Sequence, residues 1–247
     1  MADFRNTLNL FARRFTLALH DSTRMRAGEA WSSAATPGPE PELAATAHLP
    51  GVGWLVGIAA CLVFAVFSLA LGDTAWAPLV AAIACTAATA MLTGARNESA
   101  LYRFADQAGG DAPGAGHGVL ALVLLLSAKF ALLAALADAS EPAVVTALFA
   151  ALVVSRFMQL VAHWAASAGS DSRSLGVGAL WCVVPLVLMA AGGGLVFMLV
   201  PVALSSLACF AVLRWCRARA DLPTAERPGA VQQVCEVVFY LGAAIAA

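Results

Sequence analysis

The amino-acid sequence predicts an all-α polytopic membrane bundle of about seven transmembrane helices with a cytosolic N-terminus. Three observations predict it. Of 247 residues, 61% are hydrophobic and only 12% charged, against about 25% charged in an ordinary soluble domain. Apolar runs recur at about 20 residues, the length that crosses a ~30 Å hydrocarbon core as a helix. The loops also alternate in charge, which is the mark of a chain threaded through a membrane. A soluble bundle this apolar would have too little polar surface to stay dispersed.

Taken in order, residues 1–50 form a cytosolic segment, the least hydrophobic part of the chain. Leu8–Leu19 is expected to be an amphipathic helix on the membrane face. Ala34–Glu42, with Pro37, Pro39 and Pro41, is expected to be an extended loop. The first apolar run is short and contains Arg13 and Arg14, so no cleavable signal peptide is expected. Residues 51–247 form the membrane-embedded domain. Gly51–Gly72 and Thr74–Ala95 carry no charge, Gly118–Leu136 carries only Lys129, and Pro142–Ala165 carries Arg156 and His163. Leu175–Leu213 runs 39 residues without a charge, too long for one crossing at about 1.5 Å per residue. Gly192-Gly193-Gly194 is expected to divide it. Gly229–Ala247 is a shorter last span holding Glu236; the count falls to six if that span only dips into the membrane.

With the N-terminus in the cytosol, the cytosolic segments hold Arg5, 13, 14, 24 and 26, then Arg96 and 103, then Arg173, then Arg214, 217, 219 and 227. The outer loops hold Asp73, Asp138 and Glu141 and no Arg or Lys. The loops 96–117, 166–174 and 214–228 therefore face the cytosol, where nucleotide-activated substrates are found. The expected location is a bacterial inner membrane. Cys61, 85, 182, 209, 216 and 235 lie mostly inside apolar spans without a C-x-x-C pair, and read as small packing residues.

Three groups of residues carry chemistry. In the second cytosolic loop, positions 99, 103 and 106 are spaced i, i+4, i+7 and would share one helix face; they are Ser99, Arg103 and Asp106. Glu98 would join that face only if the helix turned or frayed. Read alone, Arg103 and Asp106 equally make an ordinary ion pair on a solvated loop helix. Gly114-Ala-Gly-His117-Gly118 opens the third span, with glycines that free backbone N–H groups for an anion. Lys129 and Arg156 lie inside spans, where a cation costs about 2.5–3.5 kcal/mol or more. Counted from the cytosolic ends, Arg156 lies about 13 Å deep, Glu236 about 10 Å and Lys129 about 18 Å. Arg156 and Glu236 are therefore expected to pair, with Lys129 nearby, around a polar cavity open to the cytosol. A pair that only fixes helix packing is the plainer alternative.

These segments resemble the cobalamin synthase family (adenosylcobinamide-GDP ribazoletransferases). That pattern reads Thr-Gly-Ala, then His-x-Asp-Gly-Leu-x-Asp-x-x-Asp-Gly, then a glycine pair. Thr93, Gly94, Ala95, Leu101, Asp106, Gly109 and Gly110 match it; Asn97 stands at the His, and Ser99 and Arg103 at the first two Asp. His117 and Gly118 match a Gly-Thr-His-Gly turn, and Ala128-Lys129 and Ser155-Arg156 match family pairs. Thr224, Gly229 and Ala230 match a Thr-Gly-Asp-x-Leu-Gly-Ala segment, with Glu226 at the Asp and Glu236 on a family Glu. His48-Leu-Pro-Gly-Val-Gly53 is similar to the Phe-Pro-x-x-Gly approach to the first span, whereas Thr-Arg-x-Pro near the N-terminus has only Arg13-Arg14 and Ser22-Thr23-Arg24 as candidates.

The resemblance implies transfer of α-ribazole, or its 5′-phosphate, onto adenosylcobinamide-GDP with release of GMP. It implies Mg²⁺ as cofactor, with Asp106 and Glu98 as metal candidates. Asp106, Arg103, Lys129 and Arg156 become candidate catalytic groups, and His117, Gly118, Glu226 and Glu236 candidate substrate contacts. The expected partners are the two substrates and the lipid bilayer, with no nucleic acid; the oligomeric state is left open. Two rivals stay open. One is a catalytically impaired paralogue, a corrinoid-binding or scaffold membrane protein, because acids of the pattern are replaced at Ser99 and Arg103. The other is a small-molecule permease, which Lys129 and Arg156 would suit and the lack of an inverted repeat disfavours.

Overall fold

The computed structural model describes residues 2–25, 42–109, 116–167, 172–219 and 222–247, with the side chains of 2–5, 42 and 43 left aside. Ala34–Pro41, Arg26, Gly110 and Gly114 lie outside the described residues. The elements are α1 (Ala2–Ser22), α2 (Glu42–Thr46), α3 (Leu49–Leu71), α4 (Ala77–Thr93), α5 (Arg96–Ala108), α6 (His117–Ala139), α7 (Glu141–Ala166), α8 (Ser172–Ala218) and α9 (Arg227–Ala246). All described elements are helical, as expected.

The ends of the helices follow from local chemistry. Helices α3, α4, α7 and α9 each open with Pro in the first turn, where its missing N–H is not needed and its fixed φ fits. The α4–α5 corner is Thr93-Gly94-Ala95. Gly94 and Ala95 both take left-handed conformations, at φ 68° and 52°, and the two helices meet at 90°. A Cβ on Gly94 would lie 2.9 Å from Arg24 Nε, so glycine there serves both the turn and the packing of Arg24.

Helices α3, α6, α7, α8 and α9 are long and apolar enough to cross a membrane. Helix α4 has only 17 residues, and reaches span length only together with the bent α5. Helix α8 is 47 residues long and breaks at Gly194 (φ 84°, ψ 174°), a conformation open essentially to glycine alone. The break reverses the chain. Gly178 lies against Leu160 and Phe157, Gly192 against Thr146, and Cys209 Sγ again reaches the Met158 carbonyl. Its two halves thus run down and back along α7, in keeping with the division expected at Gly192–Gly194.

Helices α7 and α9 form the centre. Of the most apolar window of each, 67% and 61% is buried, against 17–22% for α3, α6 and α8. Ser155, Arg156, Gln232, Gln233 and Glu236 are buried on these two helices, and Lys129 reaches in from α6. Without water there is no hydrophobic drive between helices in a bilayer, so close packing of small residues does the work. Ala143, Ala147, Ala150 and Ala151 give α7 a smooth buried face. A Cβ on Gly53 would lie 2.7 Å from the Leu152 carbonyl oxygen, and one on Gly242 would lie 2.6 Å from Pro201 Cα. Large apolar side chains such as Leu62, Leu69, Leu124, Leu180 and Phe210 instead point outward, the reverse of a soluble domain.

Helix α1 is longer than the expected amphipathic segment and docks on the bundle. Phe11 and Phe15 pack around His48 and Trp181 at ring separations of 4.9–6.5 Å. The described cysteines are all free, and all but Cys61 are buried, as expected for packing residues.

Candidate functional site

The polar residues of the spans converge at one place, beneath the first turn of α5. The 90° corner is the cause: it turns α5 back over the bundle instead of out into solvent. Thr89 and Thr93 of α4, Asn97 and Glu98 of α5, Lys129 of α6, Arg156 of α7, and Gln232, Gln233 and Glu236 of α9 line one cavity. The cavity is small: about 10 Å³ of it admits the centre of a water-sized sphere, room for roughly one water or bare ion.

Glu236 is the hub. Its Oε1 is 2.5 Å from Lys129 Nζ and accepts a hydrogen bond from the Tyr240 hydroxyl at 3.2 Å. Its Oε2 accepts from Gln232 Nε2 at 2.8 Å, and that amide also donates to Ser155 Oγ at 3.1 Å. Gln232, Glu236 and Tyr240 are spaced i, i+4, i+8, so one face of α9 presents all three. Lys129, Arg156 and Glu236 are 2%, 3% and 1% exposed, so this is a buried charge cluster and not a surface pair.

The pairing expected between Arg156 and Glu236 is made by Lys129 instead. Arg156 folds back on its own helix and its Nη1 donates to the Leu152 carbonyl at 2.7 Å. The flexible four-carbon stem of the lysine spans the extra depth that helix counting assigned to it. The absent side chain at Gly53 makes room for Arg156: a Cβ there would lie 3.3 Å from Arg156 Cδ.

Glu98 also differs from expectation. No rotation or fraying is needed, because Glu98 lines the inner cavity and the 99/103/106 face is the one turned outward. Ser99 and Arg103 are exposed, and Asp106 is half-buried. Arg103 Nε lies 3.3 Å from Glu226 Oε1. Asp106 Oδ1 accepts from the Gly118 backbone N–H at 3.4 Å, at the start of α6, where a carboxylate also meets the positive helix end. Exposed His117 and the Glu226–Arg103 pair make an outer rim above the inner cluster. Beside the rim, Leu101, Phe104, His117, Val212 and Trp215 border an apolar groove of about 360 Å³. A wider cleft at the far end of the bundle carries Asp73, Asp138 and Glu141 with no Lys or Arg in its lining, which leaves nothing there to meet a phosphate.

The candidate residues thus fall into two tiers: Lys129, Arg156, Glu236 and Glu98 inside, and Arg103, Asp106, His117, Gly118 and Glu226 at the rim. Asp106 and Glu98 are eight residues apart on α5, about 12 Å along its axis, and occupy different tiers. Among the described residues no three His, Cys, Asp or Glu side chains group as a metal site. The oxygen donors that fit a hard cation are in the inner cavity. Glu98 Oε2, Gln232 Oε1 and Gln233 Oε1 are buried there with no hydrogen-bond partner among the described residues, and each such orphan costs about 1–3 kcal/mol.

Gln232, Gln233 and Tyr240 were not singled out from the sequence. The signal was present: two glutamines inside an apolar span, one of them four residues before the buried Glu236, with a tyrosine four after it.

The sequence model of the cobalamin-5-phosphate synthase family matches residues 14–244. An adenosylcobinamide-GDP ribazoletransferase of Polaromonas naphthalenivorans (strain CJ2) is 34% identical over 273 residues, covering 95% of this chain and 98% of that protein. The protein of the same name from Polaromonas sp. (strain JS666 / ATCC BAA-500) is 33% identical, covering 97% and 99%. That of Bradyrhizobium diazoefficiens is 36% identical, covering 81% and 82%. No solved structure matches.

Proposed function

The chain belongs to the cobalamin-5-phosphate synthase family, and from that premise we propose that it is an adenosylcobinamide-GDP ribazoletransferase working at the two-tier site beneath and around α5. The single observation that carries this reading is the pair of buried cations, Lys129 and Arg156, held beneath α5. A cation inside an apolar span is expensive and is kept where function uses it, and phosphoryl chemistry needs positive charge in a dry place.

In the reaction a ribazole hydroxyl forms a P–O bond to the phosphorus on the cobinamide side. The pyrophosphate P–O bond breaks, GMP leaves with the electron pair, and the hydroxyl proton passes to a base. Arg103 at the rim would receive the phosphates as a charged fork. Arg156 and Lys129 would stabilise the charge that builds on the bridging oxygen, with Glu236 and Gln232 fixing Lys129 in place. Glu98 would hold the Mg²⁺ implied by the resemblance, with Asp106 as the rim candidate; a bound Mg²⁺ supplies neutralisation of pyrophosphate charge. His117, Gly118 and Glu226 would contact substrate at the rim, and the apolar groove bounded by Phe104 and Trp215 would suit the flat ribazole base or the corrinoid edge.

The same reading sets the chain in a bacterial inner membrane with seven spans and a cytosolic N-terminus, α8 counting as two spans and α4 as a short one. The loops bearing Arg103 and Glu226 then face the cytosolic substrates.

Complementation tests the proposal: a cobalamin-synthase-null bacterium is fed cobinamide and dimethylbenzimidazole and supplied with this chain or its Asp106→Ala variant. Growth with the wild-type chain is the expected result, and its dependence on Asp106 measures what the rim contributes. No growth, from a chain shown to reach the membrane, would favour a corrinoid-binding or scaffold role.

A further inference from the structure

We propose that the groove at the end of α8 binds one anionic phospholipid. Its phosphate sits between Arg214 and Arg217, and its acyl chains lie along the exposed apolar face that leads up to them. The groove is separate from the inner cavity and the rim, and the proposal does not depend on the reaction.

Phe210, Leu213, Arg214, Arg217 and Ala218 border a groove of about 350 Å³. The long stretch of α8 without a charge ends at Leu213, so Arg214 is the first charge met on leaving the apolar span. Both arginines therefore stand where the hydrocarbon core gives way to head groups. Leu199, Leu207, Phe210, Arg214 and Arg217 are all exposed, and at ~100° per residue they fall within an arc of about 80°. From Leu199 to Phe210 this face runs about 17 Å along the axis, close to the ~15 Å of hydrocarbon in one leaflet. It is apolar over the depth of an acyl chain and doubly positive at its end. Trp215, beside the arginines, is exposed and lies edge-on to Phe104 at 5.8 Å, in keeping with the interfacial place that tryptophan prefers.

The charge of the groove selects the head group. Among the described residues neither Arg214 nor Arg217 has an ion-pair partner, whereas Arg96, Arg103 and Lys129 pair with Asp21, Glu226 and Glu236. Side chains three apart on a helix are neighbours, so two guanidinium groups there repel each other. A phosphate between them removes that repulsion and takes a charged fork from each. The lining holds no Asp or Glu, so the ammonium of a zwitterionic head group would find no partner and would meet the arginines. A head group with net negative charge meets only attraction. A free phosphate would use the two arginines but leave the apolar face without a role, which is why the lipid is the occupant the groove fits.

The experiment uses the full chain, purified in detergent and stripped of lipid, with lipid added back in mixed micelles. Bound lipid is counted by native mass spectrometry during titration with dioleoylphosphatidylglycerol or dioleoylphosphatidylcholine. One phosphatidylglycerol per chain is expected to bind about tenfold or more tightly than phosphatidylcholine. Arg214→Gln and Arg217→Gln should each weaken phosphatidylglycerol about fivefold, the scale of one arginine at an anionic membrane surface. The double variant should bind the two lipids alike. Both positions are exposed, and a lipid-free thermal midpoint equal to that of the wild type shows that each variant is folded. Arg103→Gln, at the rim, should leave lipid affinity unchanged. Glycerophosphate and inorganic phosphate, which carry the charge without the chains, should not displace the lipid. Equal affinity for the two lipids, or unchanged affinity in the double variant, would overturn the proposal. Displacement by inorganic phosphate would overturn it too, and would mark the groove as a site for a free phosphate.

Discussion

Replacing Glu236 by Gln tests the charge cluster where it is most exposed to disproof. Glu236 takes three donors: Lys129 at 2.5 Å, Gln232 at 2.8 Å and Tyr240 at 3.2 Å. A glutamine offers one oxygen and one NH₂ in the same space, so at least one of these donors meets another donor. The Lys129 ammonium, 2% exposed, also loses its counter-charge. Removing one partner of a buried pair costs about 3–5 kcal/mol, and the insertion cost of a lone lysine at mid-span, about 2.5–3.5 kcal/mol, agrees. We expect Glu236→Gln to destabilise the protein by about 3–5 kcal/mol. Lys129→Met should cost about as much, because it strands Glu236. The double variant Lys129→Met/Glu236→Leu should recover most of the loss, since replacing both members of a buried pair by apolar groups is often neutral. The assay is unfolding in mixed micelles followed by circular dichroism. A Glu236→Gln penalty below about 1 kcal/mol, the scale of a surface pair, would refute the reasoning, as would single-variant penalties that simply add.

Other expectations follow from the same geometry. Arg103→Ala should cost under about 1 kcal/mol of stability, because its pair with Glu226 is exposed, yet lower turnover at least tenfold; equal losses in both readouts would make Arg103 structural only. Gly53→Ala should cost about 1–3 kcal/mol of overpacking, since its Cβ would lie 2.7 Å from the Leu152 carbonyl oxygen and 2.9 Å from Val153 Cα; a thermal midpoint unchanged from wild type would contradict that contact. Gly229→Ala, with a Cβ 2.6 Å from Ala100 Cβ and 3.3 Å from Asn97 Oδ1, should push α5 off α9 and lower the thermal midpoint; an unchanged midpoint would contradict that packing. Seven spans from a cytosolic N-terminus put the C-terminus outside, so an alkaline phosphatase fused after Ala247 should be active and a green fluorescent protein dark; the reverse pattern would mean six spans.

The membrane architecture was legible because its cause is local. Apolar run length is written along the chain, and Gly192–Gly194 marked the break in α8 because few other residues could adopt the backbone found at Gly194. The depth of Lys129 and Arg156 could be counted at 1.5 Å per residue, and both do line one cavity with Glu236. Which of them pairs with Glu236 was not legible, because helix rotation and side-chain reach are tertiary. Glu98 was harder still. Its direction depends on the 90° corner at Gly94 and Ala95, and no periodicity within α5 reveals which of its faces that corner turns inward. Several residues matching the resemblance serve geometry: Gly94 forms the corner, Gly118 lies against Tyr102, and Gly229 lies against Ala100.

The most direct test of the account is product formation by the purified chain in lipid nanodiscs, given adenosylcobinamide-GDP and α-ribazole, with GMP and the cobalamin product measured together. The account predicts one GMP for each cobalamin formed, and a fall in kcat of about 10²–10³ in Arg156→Gln from loss of a preorganised charge. Undiminished turnover in a folded Arg156→Gln protein, or no GMP from a folded wild-type chain, would contradict it.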